Sequence, residues 1–258
     1  MKRDRYQRFL TLPILTAGLI LTVGPLVWML VTAFSDPAGL SEKPIRYAFS
    51  LENIQILLAS GRLARWALNS LIVAGMITIG QTVFNALAAF SFSVGRYRGR
   101  EALFNVILGA MMVPGQIVML PLFLFMAKWG LIDNLWAVIL PTLAAPFGIY
   151  LVRQYMDSLP RELLEAARMD GATEWQIFRN IYFPLSIPIL ATSGIFVFIA
   201  NWNGFLWPLV TLNSEANYTL TVGLATLQDQ QVMDYGLLMA GATLSAVPMV
   251  VVFLLFSR

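Results

Sequence analysis

Hydrophobic residues along this chain fall into six long, almost charge-free runs, at about residues 11–34, 66–94, 102–127, 135–152, 186–211 and 235–257. A helix crosses the hydrocarbon core of a bilayer with about 20 apolar residues. Each run therefore predicts a membrane-spanning helix, and the chain reads as an all-α integral membrane protein with six transmembrane helices in one transmembrane domain over 1–258. Pro141 and Pro146 interrupt the fourth run, the shortest, while the longest must tilt or continue beyond the bilayer. No Asp, Glu, Lys or Arg lies inside a run; Glu101, Asp133 and Asp234 stand at the edges.

The segment between the fourth and fifth runs, 157–185, has a different pattern. Pro160 suits the first turn of a helix, Glu162 and Glu165 favour its early turns and Arg168 its end. Gly171 supplies the left-handed residue that commonly closes a helix. Thr173 and Gln176 have capping-box spacing and start a second short helix through Ile181, before Pro184 and Pro188 lead into the fifth span. This helix–turn–helix is too polar for lipid. Its first helix carries Leu163, Leu164, Ala166, Ala167 and Met169 on a face suited to a groove in another protein, or to the inner ends of this chain's own helices. A second amphipathic stretch, Ser50–Leu58, suits the membrane surface or a partner.

Composition agrees with lipid as the solvent: 58% of residues are hydrophobic and 12% charged, against roughly 45–50% and 25% in soluble domains. Lys and Arg are retained on the cytoplasmic side. With both termini inside, 12 of the 17 basic residues lie in cytoplasmic segments and 5 in outer ones, Arg62 and Arg65 fitting least well. The first run is too long for a signal-peptide core and reads as a retained anchor. Cysteine and histidine are absent, which removes disulfides, thiolate metal sites and the commonest general base. The net charge of +3 is accounted for by basic residues beside the spans, and nucleic acid is not an expected partner.

At Glu165-Ala166-Ala167, Gly171, Ile181 and Pro184 the sequence resembles the EAA motif of ABC importer permeases, above all the maltose-transporter type that takes up carbohydrates. Phe183 stands where leucine is usual, and the sequence stops at Phe256-Ser257-Arg258, short of the cytoplasmic tail usual in that family. Asn69-Ser70-Leu71 and Trp202-Asn203 with Phe205 and Pro208-Leu209 extend the likeness over the whole chain. The resemblance implies that Glu165, Ala166, Ala167, Asp170 and Gly171 form a coupling helix seated in a separate ATPase. It further implies a second homologous permease (a heterodimer), two ATPase subunits, an extracytoplasmic substrate-binding protein, and a place in the bacterial cytoplasmic (inner) membrane. No cofactor is expected in this chain, with ATP and Mg bound by the partner ATPase.

The residues themselves bear on the energy source. The only lysines are Lys2, Lys43 and Lys128, and none stands in a Gly-Lys-Ser/Thr phosphate loop. ATP hydrolysis is expected on another subunit, and this chain is a transporter component rather than an enzyme. A secondary transporter would want intramembrane carboxylates or histidine, which the runs lack; sodium held by backbone carbonyls at broken helices keeps that class open. For an uncharged solute such as a sugar, oligosaccharide or polyol, the candidate path residues are Gln81, Asn85, Asn105, Gln116, Asn201, Trp202 and Asn203. The bland role for each amide is a hydrogen bond between helices. Glycerol phosphate and oligopeptides are the alternative solutes.

Overall fold

In the computed structural model, which describes residues 2–41, 46–227 and 235–256, the described chain is helical throughout, with a single β-bridge between Ser35 and Phe49. Residues 228–234, Ser257 and Arg258 lie outside the described residues, and with them Asp234 and the chain's last two positions. The helices are α1 (Lys2–Ala33), α2 (Pro37–Ser41), α3 (Glu52–Ala59), α4 (Arg62–Val94), α5 (Arg100–Ala110), α6 (Gly115–Lys128), α7 (Leu135–Thr142), α8 (Pro146–Asp157), α9 (Arg161–Met169), α10 (Glu174–Ile177), α11 (Phe183–Leu185), α12 (Ile187–Trp202), α13 (Leu206–Thr211), α14 (Leu220–Thr226) and α15 (Tyr235–Phe256).

Three helical stretches are long and apolar enough to cross a membrane alone: Pro13–Ala33, Arg62–Val94 and Leu135–Asp157. Two more cross only if a bent pair counts as one span. Arg100–Ala110 and Gly115–Lys128 meet at 98°, and Glu174–Leu185 meets Ile187–Trp202 at 71°. The third run, 102–127, is therefore two helices and not one straight rod. Pro114 causes the break: it has no N–H to donate, holds extended backbone (φ −60°, ψ 128°), and biases Val113 away from helix. The fifth run is also divided, with α12 ending at Trp202 and α13 resuming at Leu206. Sixteen residues give α12 a length of only about 24 Å. The fourth is interrupted at 143–145, before Pro146, as its prolines predict, and its second helix runs on to Asp157, past the expected end at 152.

The chain divides into two compact units. In the first, residues 1–67 with 222–251, the apolar side chains of α1 from Ile14 to Val31 are largely exposed, which suits lipid contact on most sides. The stretch at 50–58 forms α3, whose Asn53 and Leu57 face inward. Asn53 Nδ2 donates to the Ser35 carbonyl at 2.7 Å, so one face of this helix is held by its own chain, while Ile56 and Leu58 remain exposed.

In the second unit, residues 68–221 with 252–258, two apolar clusters set the frame. Val73 and Ile77 of α4 pack with Val138 and Ile139 of α7 and with Leu212, and Trp207 Nε1 donates to the Ala137 carbonyl at 3.0 Å. At the other end of α4, Ala86, Ala89 and Val94 pack with Val152 and Met156 of α8 and with Ala167, Ile177, Phe178 and Tyr182. Leaving α4, the chain turns through Gly99 (φ 85°), and Arg100 donates to the Ser93 and Gly95 carbonyls, satisfying acceptors the helix end leaves open.

Candidate functional site

The helix–turn–helix between the fourth and fifth spans is built as its sequence predicts. α9 ends in a two-bond turn: the Ala172 N–H donates to the Ala167 carbonyl at 3.0 Å and the Gly171 N–H to the Arg168 carbonyl at 3.1 Å. This pattern needs a left-handed residue at the turn, and Gly171 sits at φ 80°. No heavy atom lies within 4 Å of where a Cβ would stand, so backbone conformation, not space, calls for glycine there. Thr173 and Gln176 then form the reciprocal cap, Gln176 N–H to Thr173 Oγ1 and Thr173 N–H to Gln176 Oε1 at 2.7 Å. The second helix passes through a wider π-type turn at Phe178–Tyr182 and continues to Leu185.

The apolar positions of α9 do not form one face. Ala167 is 8% exposed and Leu164 half-buried, both in the cluster with Val94, Met156 and Tyr182. Leu163, Ala166 and Met169 point the other way, Met169 being 87% exposed. Trp175 of α10 is also exposed, at 59%, as are Glu162, Glu165 and Asp170. Ala167 is thus a close-packing residue of the chain's own interior, where its small side chain lets α9 approach α4 and α8. Arg168 fastens the two short helices, its guanidinium reaching Glu174 Oε1 at 2.8 and 3.1 Å and the Val94 carbonyl at 3.4 Å.

A second clamp joins α5 to α8. Arg153, which is buried, donates from Nη2 to both carboxylate oxygens of Glu101 at 2.9 and 3.1 Å, pairs with Asp157 one turn on, and lies 3.8 Å over the Phe104 ring. Glu101 and Arg153 thereby tie the start of α5 to α8.

The candidate path residues do not converge. Gln81 and Asn85 share a buried face of α4, where Gln81 Nε2 donates to the Thr142 carbonyl, a helix-to-helix bond of the bland kind. Asn85 is 1% exposed, and neither its amide nitrogen nor its oxygen has a partner among the described residues. It presses on Gly148 of α8, where an added Cβ would stand 2.1 Å from Asn85 Nδ2. Asn105 and Gln116 are exposed. Asn201 and Asn203 bond back to the Val197 and Ile199 carbonyls of their own helix, and Trp202 is buried and stacked on Phe198.

Three residues that sequence reasoning passed over as site residues organise the opposite end. Asn69 donates to the Ala216 and Tyr218 carbonyls at 3.0 and 2.9 Å, and Ser70 Oγ accepts from the Leu220 N–H at 2.8 Å. Asp133, at φ 62°, accepts on one oxygen from the Asn213 N–H, the Ser214 N–H and Ser214 Oγ, at 2.8–2.9 Å. Burial pushes its carboxyl up, but these donors outweigh it and hold the pKa at about 2. The segment 213–220 is thus strapped to α4 and to the loop before α7. The edge position of Asp133 was the available signal; its partners, eighty residues on, were not.

Residues 81–258 match the family of binding-protein-dependent transport system inner membrane components. The arabinooligosaccharides transport system permease of Halalkalibacterium halodurans is 37% identical, over 92% of this chain and 88% of its own length. The lactose transport system permease of Rhizobium radiobacter is 32% identical, over 99% and 94%. In fold the chain is similar to a protein in the crystal structure of a bacterial ABC transporter that imports the acidic polysaccharide alginate, with a TM-score of 0.89, 24% identity and coverage of 100% of this chain and 97% of that one. These matches, and not the absence of membrane carboxylates, decide between an ABC permease and a secondary transporter: the chain belongs to the family of binding-protein-dependent transport system inner membrane components, as a membrane-embedded permease subunit.

Proposed function

We propose that this permease forms one half of the translocation pathway of an ATP-driven importer for a sugar, oligosaccharide or polyol-type solute. Its partners are a second homologous permease in a heterodimer, two ATPase subunits that bind ATP and Mg, and an extracytoplasmic binding protein that delivers the solute. It lies in the bacterial cytoplasmic membrane, crossing six times, with both termini inside. Two relatives whose names specify carbohydrate uptake, similar over nearly the whole chain, support the solute class. The path candidates Gln81, Asn85, Asn105, Gln116, Asn201, Trp202 and Asn203 are all uncharged, which fits a neutral solute.

The observation that carries the coupling role is the exposed set of Leu163, Ala166 and Met169 on α9, a helix closed by the Gly171 turn, together with exposed Trp175 of α10. Unpaired apolar side chains rimmed by Glu165 and Asp170 are the pattern of a helix that seats in a partner's groove. ATP binding draws the ATPase pair together, α9 moves with it, and the rigid contacts of Ala167 and Leu164 pass that displacement to α4 and α8.

Co-purification with the importer's ATPase tests this. An Ala166→Arg, Met169→Glu double variant is expected to weaken association at least about tenfold, or about 1.4 kcal/mol, with membrane insertion unchanged. Full association by that variant overturns the coupling assignment. Ala167→Arg is unsuited to the purpose, because it would break the chain's own interior. Uptake of labelled arabinooligosaccharides and lactose against sn-glycerol 3-phosphate by the assembled importer tests the solute class, and preference for the phosphate would overturn it.

A further inference from the structure

α5 and α8 meet in two ways. Phe104 packs with Phe92 of α4 and Ile149 of α8, its ring 5.5 Å from the Phe92 ring. Inside a bilayer such contacts do little to fix a register, because lipid tails are as apolar as the side chains they would replace. The second meeting is the Arg153 clamp, and its bonding is one-sided. The side-chain hydrogen bonds of this buried guanidinium both leave Nη2 for the Glu101 carboxylate. Nε lies 3.3 Å from Asp157 Oδ2 as an ion pair without a hydrogen bond, and Nη1 has no hydrogen-bond partner among the described residues. Glu101 is therefore the group that holds Arg153 by directed, charge-assisted bonds, although its own side chain is more than half exposed.

The clamp stands where the loop carrying α9 begins. Asp157 ends α8, accepts from Ser93 Oγ of α4 at 2.6 Å, and is followed after three residues by α9. Arg168 of α9 reaches back to the carbonyl of Val94, the last residue of α4. α4, α8 and α9 are thus fastened to one another at this corner. α5 leaves α4 through residues 95–99, which belong to no helix, and the Arg100 bonds close that loop. Its charged link to α8 is Arg153 on Glu101. One turn after Glu101 stands the path candidate Asn105, and beyond the Pro114 bend Gln116 stands in α6.

We propose that Arg153 is a positioning residue of the transport cycle: through Glu101 it carries the displacement of α9 and α8 into the third span, so that α5 moves with the coupling loop. The inference rests on the coupling role proposed above. It extends that role from α4 and α8, which pack with α9, to a span outside that packing cluster.

Solute uptake and ATP hydrolysis, measured on the same proteoliposomes of the assembled importer, test this. Glu101→Gln keeps the size of an exposed side chain and leaves Arg153 its pairing with Asp157, so insertion and ATPase association are expected to persist. The ATP hydrolysed per solute taken up should rise about two- to thirtyfold, a ratio that simple loss of folded protein does not move. Arg153→Met, which replaces the buried cation by an apolar side chain, should raise the ratio likewise. Spin labels on cysteines introduced at positions 106 and 154, both exposed, should report one α5–α8 distance with and without ATP, and a broadened one in Glu101→Gln. An unchanged ratio in both variants, uptake that falls only in step with hydrolysis, or a native distance that changes with nucleotide overturns the proposal. Loss of ATPase association by Glu101→Gln also overturns it, since the clamp would then serve docking. The two readings fail separately. Full association by the Ala166→Arg, Met169→Glu variant removes the coupling role itself, whereas a Glu101→Gln importer that binds its ATPase and stays coupled removes only the part given to Arg153.

Discussion

Two residues illustrate how much a single position carries. Asp133 keeps its carboxyl at about 2 against an ordinary 3.8, so the strap it holds contributes its full stability above the ordinary value and loses it as pH falls through about 2. The expected result is a thermal midpoint that falls between pH 4 and 2 in the native protein and is flatter there in Asp133→Asn. Hydrogen exchange of the 213 and 214 amides, both donors to Asp133, should accelerate in the same variant at neutral pH; unchanged exchange would show that the strap does not rest on Asp133. At Gly171 the cost of a side chain is conformational. Gly171→Ala should cost about 1–2 kcal/mol through its left-handed φ, with no added steric penalty.

The meeting of α4 and α8 depends on Asn85 and Gly148 together. A methyl group at position 148 would press on an amide that is fully buried, so Gly148→Ala should destabilise by roughly 1–3 kcal/mol. Asn85→Ala in the same chain should recover most of that loss, and simple additivity of the two changes would refute direct contact. Because the Asn85 amide is unsatisfied, Asn85→Leu alone should leave thermal stability unchanged or raise it. A fall of more than about 1 kcal/mol would mean the amide has a partner in the folded protein.

Much at this scale was legible beforehand. The caps at Gly171 and Thr173–Gln176 are local, set by residues three to five apart, and appear as spacing in the sequence. The bend at Pro114 and the break after Trp202 were hidden in runs whose hydropathy is continuous: lipid-compatible composition records where a chain is, not where it turns. The split of α9 into a face for Leu164 and Ala167 and another for Ala166 and Met169 was hidden for another reason. Hydrophobicity marks apolar positions on both faces alike, and does not say that one packs against the chain's own helices while the other is left exposed.

For the whole molecule, membership in the permease family follows from similarity over most of the chain, while a count of six crossings requires each bent pair to be one span and α15 to be included. A cysteine-accessibility scan is well suited to this cysteine-free chain. Cysteines at positions 98 and 161 should be labelled only from the cytoplasmic side, and those at 129 and 215 only from outside; labelling of 98 and 215 from one side would refute the topology. The candidate path was the least legible part. Asn, Gln and Trp have several uses inside a membrane bundle, and only partners distant in sequence, such as Thr142 for Gln81, distinguish them.

The two-faced build of α9 also bears on how such a subunit changes allegiance. One row of side chains answers to the chain's own interior and is constrained by it. The other, on the coupling role proposed above, answers only to the ATPase that seats it. If that role holds, redrawing Leu163, Ala166, Met169 and Trp175 while Leu164 and Ala167 stay as they are should rewire this permease to a foreign ATPase, so that a new allegiance need not be bought with a new fold.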